Sequence, residues 1–208
     1  LESRPTEEVP FVVTPPHVVE RMLQLAEVRP TDRLVDLGSG DGRIVIAAAK
    51  RGAFSRGLEI DEALVKLSKE RAKSLGLERN AAFLNQDIFE ANYAEYSVVT
   101  MYLLPEFNLK LRPKLLKELT PGARIVSHEW DMGDWAADET LSVRAPTKPL
   151  GNDKAHRVYL GVVPAQIAGR WRVETAIPAA QIDLNLSQIF QKIDVVASAG
   201  EVRGFSLR

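Results

Sequence analysis

Cysteine is absent from all 208 residues. That one absence excludes disulfides, thiolate metal sites and a cysteine nucleophile. An excess of positive charge is also missing. Lys and Arg number 27 against 28 Asp and Glu, for a net charge of -1, so the chain has no basic field to draw in a polyanion and a nucleic-acid partner is not expected. No apolar run is long enough to span a bilayer, and no internal repeat suggests a solenoid. No serine-centred elbow points to hydrolase chemistry. His17 and His156 stand too far apart, with too few partners, to suggest a metal site, so none is expected. The chain opens at Leu1 with a polar stretch that suits a processed terminus or a trimmed one. The cytoplasm is the expected compartment, with export or envelope association left open.

What remains is 45% apolar and 26% charged, the balance of an ordinary globular protein with room for one full α/β domain and a small appendage. Thr14-Pro15-Pro16 marks a helix start, with Thr14 as the cap, and apolar residues recur at helical spacing through Val28. Strand and helix signals then alternate. Strands are expected over Arg33 to Leu37, Ser55 to Ile60, Ala81 to Asn85, Ser97 to Tyr102 and Ala123 to His128. Helices are expected over Gly42 to Arg51, Asp61 to Leu75 and Pro105 to Leu119. This alternation predicts a Rossmann-like parallel sheet with helices on both faces. Thr140 to Arg144 and Arg157 to Val163 read as strands without a helix between them. Four further strand-like stretches follow: Arg170 to Thr175, Gln181 to Leu186, Phe190 to Val196 and Val202 to Leu207. Their alternating apolar residues predict a small antiparallel β meander. The expected organisation is residues 1–28 as an N-terminal segment and helix, 29–164 as the cofactor-binding domain, and 165–208 as a β-rich extension. The meander is too small to hold a core alone.

The chemistry concentrates after the first strand. Asp36-Leu37-Gly38-Ser39-Gly40-Asp41-Gly42 joins a strand to a helix N-terminus through glycines that let a ligand approach the backbone. Dinucleotide sites use G-x-G-x-x-G, whereas Arg43 stands where the third glycine of that pattern would be. Asp36, two residues before the first glycine, would repel a pyrophosphate. It suits the ammonium and sulfonium of S-adenosylmethionine, whose product is S-adenosylhomocysteine. Glu59 ends the second strand, where an acid can bond ribose hydroxyls. Asp87 follows the third strand and could accept from an exocyclic amine, with Ile88 and Phe89 against a flat adenine ring.

On these residues the chain resembles the class I S-adenosylmethionine-dependent methyltransferases over about Val9 to Pro164. The run from Leu34 to Ala49 and the word Pro10-Phe11-Val12-Val13-Thr14-Pro15 are similar to bacterial relatives of the mitochondrial lysine methyltransferases that act on the ATP synthase c-ring protein and the adenine nucleotide translocase. The resemblance implies that Phe11 to Thr14 fold over the cofactor, and that Asp36, Gly38, Ser39 and Glu59 lie at its methionine and ribose. The expected cofactor contacts are thus Phe11, Val12, Thr14, Asp36, Gly38, Ser39, Gly40, Asp41, Arg43, Glu59, Ile60, Asp87, Ile88 and Tyr102. After about the fifth strand the resemblance fades.

The acceptor belongs beyond the carboxyl ends of the first, fourth and fifth strands. The fourth ends in Thr100-Met101-Tyr102-Leu103-Leu104-Pro105, which is not the Asn/Asp-Pro-Pro-Tyr/Phe word of adenine and glutamine-amide methyltransferases. The fifth delivers His128-Glu129-Trp130-Asp131, an acidic and aromatic stretch fit to draw in a lysine and stack along its stem. Trp130 and Trp135 would otherwise plug the domain edge, and His128 reads equally as a satisfied core histidine. Tyr102, Glu129 and Asp131 are the candidate catalytic residues, and the acceptor is a protein lysine or a small molecule. A cofactor-binding module without catalysis is the remaining alternative.

Overall fold

The computed structural model describes residues 12–145, 154–174, 181–197 and 200–201. The chain divides into two compact units, 1–162 and 163–208. In the first, helix α1 (Pro16–Leu25) precedes an alternation of β1 (Arg33–Leu37), α2 (Arg43–Lys50), β2 (Phe54–Glu59), α3 (Glu62–Ser74), β3 (Ala81–Asn85), β4 (Val98–Met101), α4 (Pro105–Glu118) and β5 (Arg124–His128). Strands β6 (Glu139–Arg144) and β7 (Ala155–Val162) complete it. The seven strands form one sheet in the order β3-β2-β1-β4-β5-β7-β6. β1 to β5 run parallel, while β7 lies antiparallel to β5 and β6 antiparallel to β7. The α/β sheet expected from the alternation is present, with an antiparallel edge added.

β1 reads Arg-Leu-Val-Asp-Leu and its last four residues are buried, as a central strand covered on both faces requires. It pairs with β2 on one side and β4 on the other, and connections leave the sheet in opposite directions from that point. A crevice at the carboxyl end of such a switch point is where ligands bind in open α/β sheets. Val126 packs with Val18, Met22, Leu34 and Ile44 in the core beneath α1 and α2. The next residue, Ser127, meets Asn108 of α4 on the opposite face. Helices therefore cover both sides.

Local chemistry sets the helix ends. Asp61 caps α3 by accepting from the Ala63 and Leu64 amides, as expected. Thr14 does not cap α1. Pro15 occupies that position without a side-chain bond, and the Thr14 hydroxyl turns to His128 instead. α1 also stops at Leu25 rather than running to Val28. Glu27 takes φ 47° and the Val28 amide donates to the Leu23 carbonyl, which closes the helix.

The second unit is a four-stranded antiparallel sheet of β8 (Gly169–Glu174), β9 (Gln181–Ile189), β10 (Lys192–Ala197) and β11 (Gly200–Glu201). Its register sets Trp171 opposite Leu184 and Leu186 opposite Val195 on one side, and the Arg172–Asp183 ion pair on the other. Phe190, expected in a strand, sits in the β9–β10 turn with φ 54°. The strand expected over Val202 to Leu207 lies outside the described residues.

Gly57 in β2 lies where a Cβ would stand 2.5 Å from Ser39 Oγ and 2.8 Å from a Phe83 ring carbon. Gly57→Ala should therefore destabilise the protein by about 2 kcal/mol, since neither neighbour is the free end of a flexible chain. A thermal melt checks this: a fall of roughly 6 °C is expected, and an unchanged midpoint would contradict the packing described.

Candidate active site

From Leu37 the chain turns into α2 through Gly38 at φ 69°, Gly40 at 52° and Gly42 at 77°, the left-handed conformations that glycine adopts without strain. The Gly38 and Ser39 amides donate to the Leu58 carbonyl, which pins the turn to β2. Gly42 has a second constraint: a Cβ there would stand 2.7 Å from the Phe83 ring and 2.8 Å from Ser68 Oγ. It thus supplies the close helix–sheet approach that the third glycine gives in dinucleotide folds.

Acids surround this turn in three different states. Asp36 is buried beside it, and its carboxylate accepts from the Thr100 hydroxyl at 2.7 Å. Burial pushes the Asp36 carboxyl up to about 7. The Thr100 bond opposes this, and the nearby charges of Glu59 and Asp41 add to it. Burial works to raise Asp41 as well, but Arg43 and Arg71 outweigh it by hydrogen bonding and charge and hold that carboxyl at about 2. Glu59 accepts from the amides of Gly40 at 2.9 Å, Ile60 at 2.8 Å and Asp61 at 3.0 Å. Both of its oxygens thus order the backbone of the loop and of the α3 start.

Asp41 and Arg43, expected to touch the cofactor, are committed to each other. Arg43 grips both oxygens of Asp41 and donates to the Thr14 carbonyl at 2.9 Å. The pair ties the loop to the segment before α1 on one side and, through Arg71, to α3 on the other. Ile60 projects beside Glu59 with 75% of its surface exposed. Asp87 accepts from the Phe89 amide, folding the turn after β3, and Tyr93 donates to the Ile88 carbonyl. Val12 and Val13 are exposed. Phe11 lies outside the described residues.

At the ends of β4 and β5 a hydrogen-bonded chain runs inward. The Tyr102 ring lies tilted against the ring of His128, centres 4.0 Å apart, and His128 is fully buried. His128 Nδ1 lies 3.0 Å from Thr14 Oγ1 and its Nε2 lies 3.0 Å from His156 Nδ1. His156 Nδ1 is 2.5 Å from Glu129 Oε1. His156, for which the sequence offers no partner, comes from β7 and joins His128 because the two strands are adjacent. Burial, and then the Glu129 charge, raise the Tyr102 hydroxyl above its ordinary value. Asp131 is spent differently: it is exposed and accepts from the Gly133 amide in a turn. Trp135 is buried against Gly161 as an edge plug, whereas Trp130 stays 43% exposed. α4 fastens this loop, since the Asn108 amide lies within bonding distance of the Trp130 and Asp131 carbonyls and Arg112 reaches the Met132 carbonyl and Asp134.

A glycine turn at a switch point with a buried acid beside it defines a Rossmann-like site for a cationic nucleoside cofactor, and a polar cluster lies beyond the fourth and fifth strands. The ANTKMT methyltransferase domain matches residues 36–139, half of the chain. The chain is 40% identical over 157 residues to a protein-lysine N-methyltransferase of Saccharolobus islandicus, covering 74% of this chain and 94% of that one. It is 35% identical over 129 residues to the mouse adenine nucleotide translocase lysine N-methyltransferase, covering 62% of this chain and 56% of the mouse protein. A crystal structure of an RNA methyltransferase from Salinibacter ruber with S-adenosyl-L-homocysteine is 47% identical. It superposes with a TM-score of 0.68 over 75% of this chain and 96% of that one. The chain belongs to the ANTKMT methyltransferase domain family, and it is an S-adenosylmethionine-dependent methyltransferase.

The residues present fit that cofactor. Ser39 Oγ is buried without a hydrogen-bond partner, and Asp36 is a buried acid whose ionised form calls for a cation. Among the described residues no helix is long and apolar enough to cross a membrane.

Asp36 also makes the protein's stability depend on pH. Its folded value of about 7 lies above the roughly 3.9 of an unfolded Asp. The native state therefore holds the proton more tightly. The stabilisation is complete below about pH 4 and is lost as pH rises toward 7. Asp36→Asn should gain on the wild type across that window by at least about 1 kcal/mol, roughly 3 °C in melting temperature. A difference that stays constant from pH 4 to 8 would contradict the assignment.

Proposed function

We propose that the chain methylates protein lysine, with the acceptor entering at the carboxyl ends of β4 and β5. The observation that carries this is the Glu129 carboxylate, 3.6 Å from His128 Nε2 just past β5, with the Tyr102 ring against His128 just past β4, the strand that pairs with the one bearing Asp36. A lysine brings a cation on a long apolar stem. Glu129 attracts the cation, and Tyr102 and the exposed Trp130 offer faces to the stem. The names of the archaeal and mouse relatives, both lysine methyltransferases, support the same acceptor. The chain spans only about half of the mouse protein, so the mouse protein's own target is not carried over.

In this reading the donor site is built from the turn outward. Asp36 faces the cofactor's cationic groups, while the Gly38, Ser39 and Gly40 backbone and Ser39 Oγ line its methionine. Glu59 takes ribose hydroxyls, for which a carboxylate accepting three amide bonds still has room. Exposed Ile60 and half-buried Ile88 sandwich the adenine, and Asp87 accepts from its amine. Val12 and Thr14 cover the cofactor, held by the Thr14 bonds to His128 and Arg43. Asp41 and Arg43 act by fixing the loop, and Asp131 by shaping the one after β5. Bound there, S-adenosylmethionine supplies an activated methyl group, and the protein's part is alignment, exclusion of water and an unprotonated nucleophile.

RNA is the second reading, because the Salinibacter protein is described as an RNA methyltransferase. The net charge of -1 and the acids Glu129, Asp131 and Asp134 beyond β5 oppose a phosphate backbone. Incubation with methyl-labelled cofactor and a cell lysate separates the possibilities. Label on lysine side chains of protein is expected. Label confined to RNA, or to small metabolites, would overturn the lysine assignment.

A further inference from the structure

Two imidazoles and a carboxylate meet beyond β5, and His128, Glu129 and His156 bring three ligand-type atoms within 4.8 Å of one another. A tetrahedral ion with bonds of about 2.0–2.2 Å holds its ligand atoms roughly 3.3 Å apart. Here Glu129 Oε1 stands 2.5 Å, and His128 Nε2 3.0 Å, from the same His156 nitrogen. These are hydrogen-bond separations. The cluster is a chain, Glu129–His156–His128–Thr14, with one end partly open to water and the other in the core. The Glu129 side chain is 15% exposed and that of His128 is fully buried.

The backbone is held out of its usual conformation to make this contact. Glu129 has φ 67°, a left-handed conformation that a residue with a Cβ adopts only with strain. Its amide is fastened to the Arg157 carbonyl on β7 at 2.7 Å. Non-glycine residues in such conformations cluster at functional sites. Four buried or half-buried groups then share few protons. A neutral imidazole has one donor and one acceptor, and the Thr14 hydroxyl serves as either. A proton between Glu129 Oε1 and His156 Nδ1 therefore lies in a 2.5 Å contact, with His128 Nε2 3.0 Å from the same nitrogen. Among the described residues, Tyr102 just past β4, its ring 4.0 Å from that of His128, and His17 from α1, its ring 6.4 Å from that of His156, also face the cluster. Arg43 approaches only the Thr14 carbonyl.

We propose that Glu129 receives the proton of the methyl-accepting amine, and that His156 and His128 are positioning residues that hold Glu129 for this task and stabilise the proton it takes. The inference rests on the lysine reading above. A lysine ammonium, with an ordinary value near 10.4, has no lone pair to attack with at neutral pH. In the proposed step one N–H bond of the ammonium breaks and its proton passes to the Glu129–His156 couple, leaving a neutral amine. The freed lone pair then forms the N–CH3 bond as the CH3–S bond breaks and its electron pair returns to sulfur. The proton on the couple leaves to water past Glu129.

The test is the pH profile of His156→Gln and Glu129→Gln on a lysine-bearing protein acceptor, with cofactor affinity measured alongside. Near pH 7 both variants should lose about 10²-fold in kcat, the usual worth of a positioned base. The loss should shrink toward pH 10, where the amine sheds its own proton. Cofactor affinity and the KM of His156→Gln should stay near wild type. A loss of equal size at every pH, a parallel fall in cofactor affinity, or wild-type kcat at pH 7 in both variants would overturn the role. Should His156→Gln fail to fold, the partly exposed Glu129→Gln decides by the same profile. A wild-type enzyme that labels no amine would bring down the lysine reading and this inference together. One that labels lysine while the variants keep its profile would bring down the inference alone.

Discussion

A carboxylate enclosed at the end of the central strand is the constraint around which this fold is arranged. Asp36 sits between two parallel neighbours, bonded to Thr100 and shut off from water. An isolated charge in such a place is costly, which is why its proton is held so firmly. The surroundings follow from keeping room and electrostatic balance beside it. Gly57 leaves space for Ser39, Gly42 lets α2 lie against Phe83, and Asp41 is neutralised by Arg43 and Arg71. A cation on the open side of the loop is the partner that this arrangement calls for.

The two halves of the site share structural parts. Thr14 joins them, since its hydroxyl ends the histidine chain while its carbonyl is held by Arg43 next to the cofactor turn. Tyr102 does the same from just past β4, one strand from Asp36 and with its ring against His128. On the proposed reading, covering the cofactor and orienting the proton acceptor are therefore coupled through contacts that do not themselves touch the transferred methyl. The loop after β5 is secured differently, by Asn108 and Arg112 reaching from α4 to its carbonyls. A rigid frame thus presents Glu129 at the cost of a strained backbone.

Much of this is legible in the chain. The alternation of apolar strands and capped helices is local, and β1, β3 and the Asp61 cap fall where the residues put them. Asp36 and the glycine turn are legible because one stretch carries both strand and loop. The histidine chain is not, because it depends on pairing. His156 meets His128 only once β7 returns antiparallel beside β5, and no local signal announces a partner 28 residues away. Thr14 reads as a helix cap because Thr before Pro-Pro has that local meaning. Its tertiary partner wins. Asp41 and Arg43 read as ligand contacts because they lie within the motif, and their pairing with each other as opposite charges two residues apart carries no comparable signal.

Calorimetry of S-adenosylmethionine binding at pH 6, repeated in buffers of different ionisation heat, bears most directly on the role of Asp36. At that pH the free protein holds the proton on Asp36, and a cationic ligand should drive it off. Release of about one proton per cofactor bound, abolished in Asp36→Asn, is the predicted result. Tight binding with no proton released would contradict the account.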